Sequence, residues 1–270
     1  MNKNKLILCA FLFYNCSMIV DTSSRLLIKD TDEWELGEEF HSQLLDSNHI
    51  YKVFQHNDDP DKKNLITYIN SVFQTVLNAV PMEERPDYFD NFTLTIIDDD
   101  VINAFAVPGG KIYLYTGIIK ALENESELAG ILGHEISHVT LHHYRKQAVE
   151  QAMVSIVINA VAGKENGALT EFIANSFLSL AAAKVSRKDE LEADQYGTKY
   201  LYNSKRDPYG ISSFFEREKD APGVLVWLSS HPNPSERVDE IKKYVSEESL
   251  NEYVGENYKY KFDSLTSTLK

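Results

Sequence analysis

The chain has 270 residues, 43% of them hydrophobic, enough to bury the core of one large domain or two small ones. It carries 27 Lys and Arg against 41 Asp and Glu, a formal charge of −14. That balance speaks against general nucleic-acid binding, which needs basic surface to neutralise phosphates, and otherwise describes only an acidic, solvated exterior.

Met1-Asn-Lys-Asn-Lys5 is a short basic head, and the apolar run from Leu6 to Tyr14 is too short to span a bilayer. Residues 1–16 read as a signal peptide. Cys16 suits the acylated cysteine of a lipoprotein signal, with plain secretion and a retained anchor as alternatives. Both cysteines, Cys9 and Cys16, fall in this segment. What folds beyond it has no disulfide and no thiolate ligand, so any metal there is held by nitrogen and oxygen.

Residues 17–31 are polar and read as an extended linker. From Asp32 to Leu45, apolar Trp34, Leu36, Phe40, Leu44 and Leu45 recur at helical spacing. A second helix runs from Asp61 to Val80, stopped by Pro81. Residues 91–98, 101–107 and 111–116 read as strands, the last two joined by the turn signal Pro108-Gly109-Gly110. A small antiparallel sheet is the expectation.

Asn124, followed three residues on by Glu127, opens the next helix much as a capping box does. This helix is expected to reach about Gln147. Gly130 and Gly133 lie within it at a cost of about 1 kcal/mol each against alanine. They imply close approach of a backbone or a substrate, or a simple packing contact. Residues 149–185 are apolar but broken by Gly163, Lys164, Glu165 and Gly167, so no membrane span is expected. A packed hairpin and a membrane-facing or substrate-covering lid both remain open for them. Ser186 caps a helix to about Asn203, and shorter helices follow near 208–218 and up to about Val245. Residues 246–270 read as a polar, loosely attached tail. Residues 32–245 are thus expected to form one α+β domain, mostly helical.

The helix after Asn124 carries His134-Glu-Ile-Ser-His138. Residues i and i+4 share a helix face, so both imidazoles can grip one cation, and Glu135, about 100° around the axis, is left to act as a base on water. The third ligand must come from elsewhere, because positions 141 and 144 are Leu and Tyr and the longer histidine extension is absent. Glu190 is the candidate. Asp194 shares its helix face and can fix a ligand histidine's tautomer, whereas Glu192 points away. The bland alternative for this segment is a solvated acidic face. His142 and His143 read as surface residues.

His134-Glu-Ile-Ser-His138 with Ser186-Arg-Lys-Asp-Glu190-Leu-Glu-Ala-Asp194-Gln-Tyr-Gly197 resembles the M48 family of zinc metallopeptidases, which are gluzincins. Asn103-Ala-Phe-Ala-Val-Pro-Gly-Gly110 resembles the strand and turn before that family's metal helix. His231-Pro-Asn-Pro-Ser-Glu-Arg237 resembles its His-Pro-x-x-x-x-Arg segment, and Leu36-Gly-Glu-Glu the first helix of its soluble periplasmic members. The likeness covers roughly residues 32–243. It implies one Zn2+ per chain on His134, His138 and Glu190, with Glu135 catalytic and Asp194 and Arg237 behind the ligands. It implies that His231 either approaches the metal's open position or donates to a developing oxyanion. It also implies that substrate adds as a strand to the hairpin, at Asn103, Ala104 and Phe105.

With no spanning helices, the chain is most similar to the periplasmic or outer-membrane lipoprotein members. The resemblance therefore implies an endopeptidase of the bacterial cell envelope that acts on unfolded or misassembled proteins. A membrane anchor at Cys16 and no nucleic-acid partner go with that reading. The alternative is an envelope chaperone or assembly factor with a latent, plugged zinc site.

Overall fold

The computed structural model describes residues 24, 27–46, 51–55, 59–151, 185–218, 227, 229, 231–232, 234–250 and 259–269. The signal and anchor expected within 1–16, and nearly all of the apolar stretch 149–185, lie outside them. Among the described residues no helix is long and apolar enough to cross a membrane.

Helix α1 spans Asp30–Asp46, with Asp30, Asp32 and Glu33 in its first turn, where the helix dipole favours anionic groups. Helix α2 spans Pro60–Asn78. The Asp59 side chain accepts from the amides of Asp61 and Lys62, and the proline stands where its missing N–H costs nothing. Its apolar face, Leu65, Ile69, Val72, Phe73 and Val76, is buried.

Strands β1 (Thr93–Ile97), β2 (Ala104–Val107) and β3 (Lys111–Tyr115) form a sheet in the order β1-β3-β2. The β2–β3 pair is antiparallel, as expected, turning through Gly109 and Gly110, both at φ 77°. The sheet as a whole is mixed rather than antiparallel, because β1 lies parallel to β3. The chain reverses once before β2 and once after it, so β3 runs in the direction of β1. With β3 central, β2 is an edge strand of the sheet.

Alternating side chains divide the sheet's two faces. Ala104, Ala106, Ile112 and Leu114 join the main core with the helices. Val107, Tyr113 and Tyr115, with Phe105 packed against them, form a second cluster with Leu44 and Phe40 of α1.

After the short α3 (Thr116–Ala121) comes α4 (Glu125–Thr140), every residue of which is buried. Asn124 caps it by accepting from the Glu127 amide, and the Glu127 carboxylate accepts from the Glu123 amide. The two buried acids of its first turn are compensated. Tyr68 and Arg206 bond Glu125 at 2.6 and 2.7 Å, and Arg217 bonds Glu127. Helix α4 ends at Thr140, short of the expected Gln147. His142 takes φ 54° and the chain turns before helix resumes at 143.

Helices α5 (Arg187–Asn203) and α6 (Gly210–Glu218) pack on α4, and α7 (Pro234–Glu247) packs on α5 and α6. The tail is more firmly attached than its polarity suggests: α8 (Lys259–Thr266) docks on α2, with Phe262 fully buried and Lys261 over the Tyr68 ring.

Candidate active site

The site is built where α4 crosses α5. A Cβ on Gly197 would stand 3.0 Å from the His134 amide, and one on Gly133 would stand 3.2 Å from the Gly197 carbonyl. The two backbones meet there, with Leu201 Cδ1 beside them, 3.1 Å from the place of a Cβ on Gly133. The contact explains Gly133: the close approach is to another backbone. It also brings the Glu190–Asp194 face of α5 against the His134–His138 face of α4.

Four side chains converge as a result. His134, His138, Glu190 and His231 are buried, and each offers a ligand atom within 4.8 Å of the others. The Nε2 atoms of His134 and His138 are 2.9 Å apart. Glu190 Oε2 lies 3.5 Å from His134 Nε2, and Oε1 lies 3.6 Å from His138 Nε2. His231 Nδ1 lies 3.2 Å from His134 Nε2.

Asp194 Oδ1 is 2.9 Å from His134 Nδ1. A proton on Nδ1 then donates to Asp194, and the Nε2 lone pair faces the other donors. Arg237 holds Asp194 in turn, with Nε donating to Oδ2 and Nη2 to Oδ1, each at 2.6 Å. Its Nη1 reaches Glu190 Oε2 at 2.9 Å. Arg237 is itself buried and lies over the rings of Phe215 and Trp227.

Burial holds the His138 imidazole well below its usual pKa, aided by the nearby basic side chains, Arg237 among them, so it is neutral. Burial would push the Glu190 carboxyl up, but His231 and Arg237 outweigh it and pull it down to about 2. Asp194 follows the same pattern, burial raising it and Arg237 bringing it below its ordinary value. A neutral imidazole at His138 and an ionised carboxylate at Glu190 are the protonation states a divalent cation requires of them.

Glu135 is the exception to this pairing. It is fully buried, and neither carboxylate oxygen has a hydrogen-bond partner. His231 Nε2 lies 3.7 Å from Oε1, beyond hydrogen-bond reach. A buried, orphaned carboxylate is costly, and here it borders four converging donor atoms.

The other expected residues are placed differently. Ala104 faces the core beside α4, and the Asn103 carbonyl accepts from the Tyr115 amide at 3.1 Å. Phe105 stacks on Tyr113 at 4.7 Å, in the cluster on the α1 side of the sheet. Its side chain is not among the metal-site groups. Of His142 and His143, both expected at the surface, His142 is half-buried and His143 is buried. His143 is 1% exposed with Nδ1 2.8 Å from His138 Nδ1, and His142 bonds Glu33 at 2.7 Å. The turn at His142 causes both placements, and no glycine or asparagine announces it in the sequence.

A His-Glu-x-x-His helix crossed by a Glu-x-x-x-Asp helix is the arrangement of the gluzincin class of metallopeptidases. The chain belongs to peptidase family M48: the sequence model of Peptidase family M48 matches residues 65–245. It is similar to the mitochondrial metalloendopeptidase OMA1 of Schizosaccharomyces pombe, 30% identical over 197 residues, which is 71% of this chain and 56% of that protein. It is similar to the β-barrel assembly-enhancing protease of Escherichia coli, 30% identical over 197 residues, 66% of this chain and 38% of that protein. A putative β-barrel assembly-enhancing protease of Vibrio cholerae is 32% identical over 167 residues, 56% of this chain and 34% of that protein. The chain thus spans between a third and somewhat over half of these relatives' lengths.

Proposed function

We propose that this protein is a zinc-dependent endopeptidase. The observation that carries the reading is a contrast: His134, His138 and Glu190 turn their ligand atoms toward one point, while Glu135 beside them has no hydrogen-bond partner. Two imidazoles and a carboxylate form a nitrogen and oxygen set that suits zinc. His134, His138 and Glu190 would hold one ion per chain. Bound there, zinc would supply Lewis acidity toward a carbonyl and toward water. The residues do the rest. Glu135 accepts the proton of the attacking water and returns it to the leaving amine. Asp194 and Arg237 keep His134 in its ligating tautomer and compensate the charge of Glu190. An extended peptide is taken at the β2 edge, at Asn103, Ala104 and Phe105, where Ala104 turns its backbone groups away from β3 while those of Asn103 and Phe105 pair with it.

Extended backbone recognition suits unfolded or misassembled proteins, and relatives named for β-barrel assembly favour the bacterial envelope. In that setting residues 1–16 serve as the signal, Cys16 as a lipid anchor, 32–245 as the peptidase domain and 246–270 as its C-terminal extension. A second reading, a chaperone or assembly factor with a latent site, is favoured by one contact: His231 sits among the donors and beside Glu135.

The test is casein proteolysis by wild type and Glu135→Gln, with zinc measured on both. The proposal expects equal zinc and loss of cleavage in the variant. Equal cleavage by the two proteins would reject Glu135 as the base.

A further inference from the structure

We propose that His143 is a positioning residue that selects which nitrogen of His138 faces the metal, and that Glu192 and Asp189 set His143 for that task. The proposal rests on the zinc reading above.

In an unbroken helix, residue 143 would sit about 140° around the axis from residue 138. The turn at His142 brings it back. His142 holds its φ of 54° with its ring anchored on α1, Nδ1 bonding Glu33 Oε2 at 2.7 Å. Glu33 also accepts from Tyr88, and Arg145 bonds the Ile28 carbonyl and Asp30 at the start of the same helix. His143 is thereby set against His138 with the two Nδ1 atoms 2.8 Å apart.

One proton lies between those two nitrogens. If His138 uses Nε2 as the ligand, its Nδ1 carries that proton and donates it. His143 Nδ1 then accepts, and a neutral His143 carries its own proton on Nε2. That atom is buried and without a hydrogen-bond partner, yet Glu192 Oε2 lies 3.6 Å from it and Asp189 Oδ1 lies 3.9 Å from it. Two carboxylates facing Nε2 favour the proton there. The opposite tautomer would turn a lone pair toward both of them. It would also place the shared proton on His143 and drive the proton of His138 to Nε2, where it blocks ligation.

His143, Asp189 and Glu192 also have the spacing of a cation site. A cation there would need the Nε2 lone pair of His143, so it would exclude one on His138 Nε2. The same three side chains serve the ligand better as a relay of hydrogen bonds and charge than as a second site.

The experiment measures zinc affinity by chelator competition on the full chain, for wild type, His143→Asn and His143→Leu. Asparagine places an oxygen where Nδ1 stood; leucine has similar size and no acceptor. Loss of a group that orients a metal-bound histidine costs about 10–100-fold in affinity. We expect that loss in His143→Leu and near wild-type affinity in His143→Asn. Equal affinity in wild type and His143→Leu overturns the proposal, as does a His143→Asn as weak as His143→Leu. If His143→Leu does not fold, nitrogen-15 spectra of the histidine rings in zinc-loaded wild type decide. Protons on His138 Nδ1 and His143 Nε2 support the proposal, and a proton on His143 Nδ1 overturns it. A wild type that takes up no zinc overturns the zinc reading together with this one.

Discussion

His231 Nδ1 stands 3.1 Å from each carboxylate oxygen of Glu190. A third imidazole therefore shares the space of the donor set, and its Nε2 faces Glu135. Replacing it with alanine opens that space to substrate and water. His231→Ala is expected to cleave casein faster, on the order of tenfold if the contact is worth about 1.4 kcal/mol. No gain, measured as initial rate at equal zinc content, counts against a plug at this position.

Arg237 is 1% exposed and neutralises two buried carboxylates, Asp194 and Glu190. Removing one partner of such a network leaves uncompensated charge, at a cost of about 3–5 kcal/mol. Arg237→Leu in the metal-free protein is expected to lower the urea midpoint accordingly. A change within about 0.5 kcal/mol, the size of an ordinary surface substitution, would show that the cluster relaxes into water.

At the helix crossing, Gly197→Ala sets two effects against each other. Alanine gains about 1 kcal/mol in helix propensity. Its Cβ would press on the backbone of His134 at 3.0 Å, and overpacking of this kind costs about 1–3 kcal/mol. The packing term should win, so the variant is expected to be less stable and to bind zinc more weakly as α5 moves off α4. A more stable variant with unchanged zinc affinity would mean that the crossing has slack.

The metal-free protein should show a stability maximum set by Glu190 and His231. The folded-state pKa of Glu190 is lowered from 4.5 to about 2, so its contribution is complete above 4.5 and is lost as pH falls toward 2. Burial would lower His231, but Glu190 outweighs it and raises it above 6.5. Its contribution is complete below 6.5 and is lost as pH rises through the raised value. The pair stabilises most between 4.5 and 6.5. Glu190→Gln removes both limbs, and urea midpoints across pH should be flatter in the variant. Parallel curves would contradict the coupling.

Local periodicity made the site's helices legible. His134 and His138, and Glu190 and Asp194, each repeat at four residues, and Ser186 and Asn124 cap their helices as their chemistry suggests. Arg237 followed from its likeness to a known segment, and in the structure it bonds Asp194. Non-local features were not legible. The parallel pairing of β1 with β3 depends on where the chain reverses, which strand composition does not encode. The tail's polarity hid Phe262, which packs α8 onto the core together with Leu265. His143 was missed because a histidine, not a glycine, occupies the left-handed turn before it.

The central claim is that Glu190, supplied by a separate helix, completes a metal site begun by His134 and His138. Zinc stoichiometry on purified wild type and Glu190→Ala, after dialysis against a weak chelator, tests it most directly. One ion per wild-type chain and its loss from the variant is the predicted result. Full zinc retained by Glu190→Ala, or none in either protein, would contradict it.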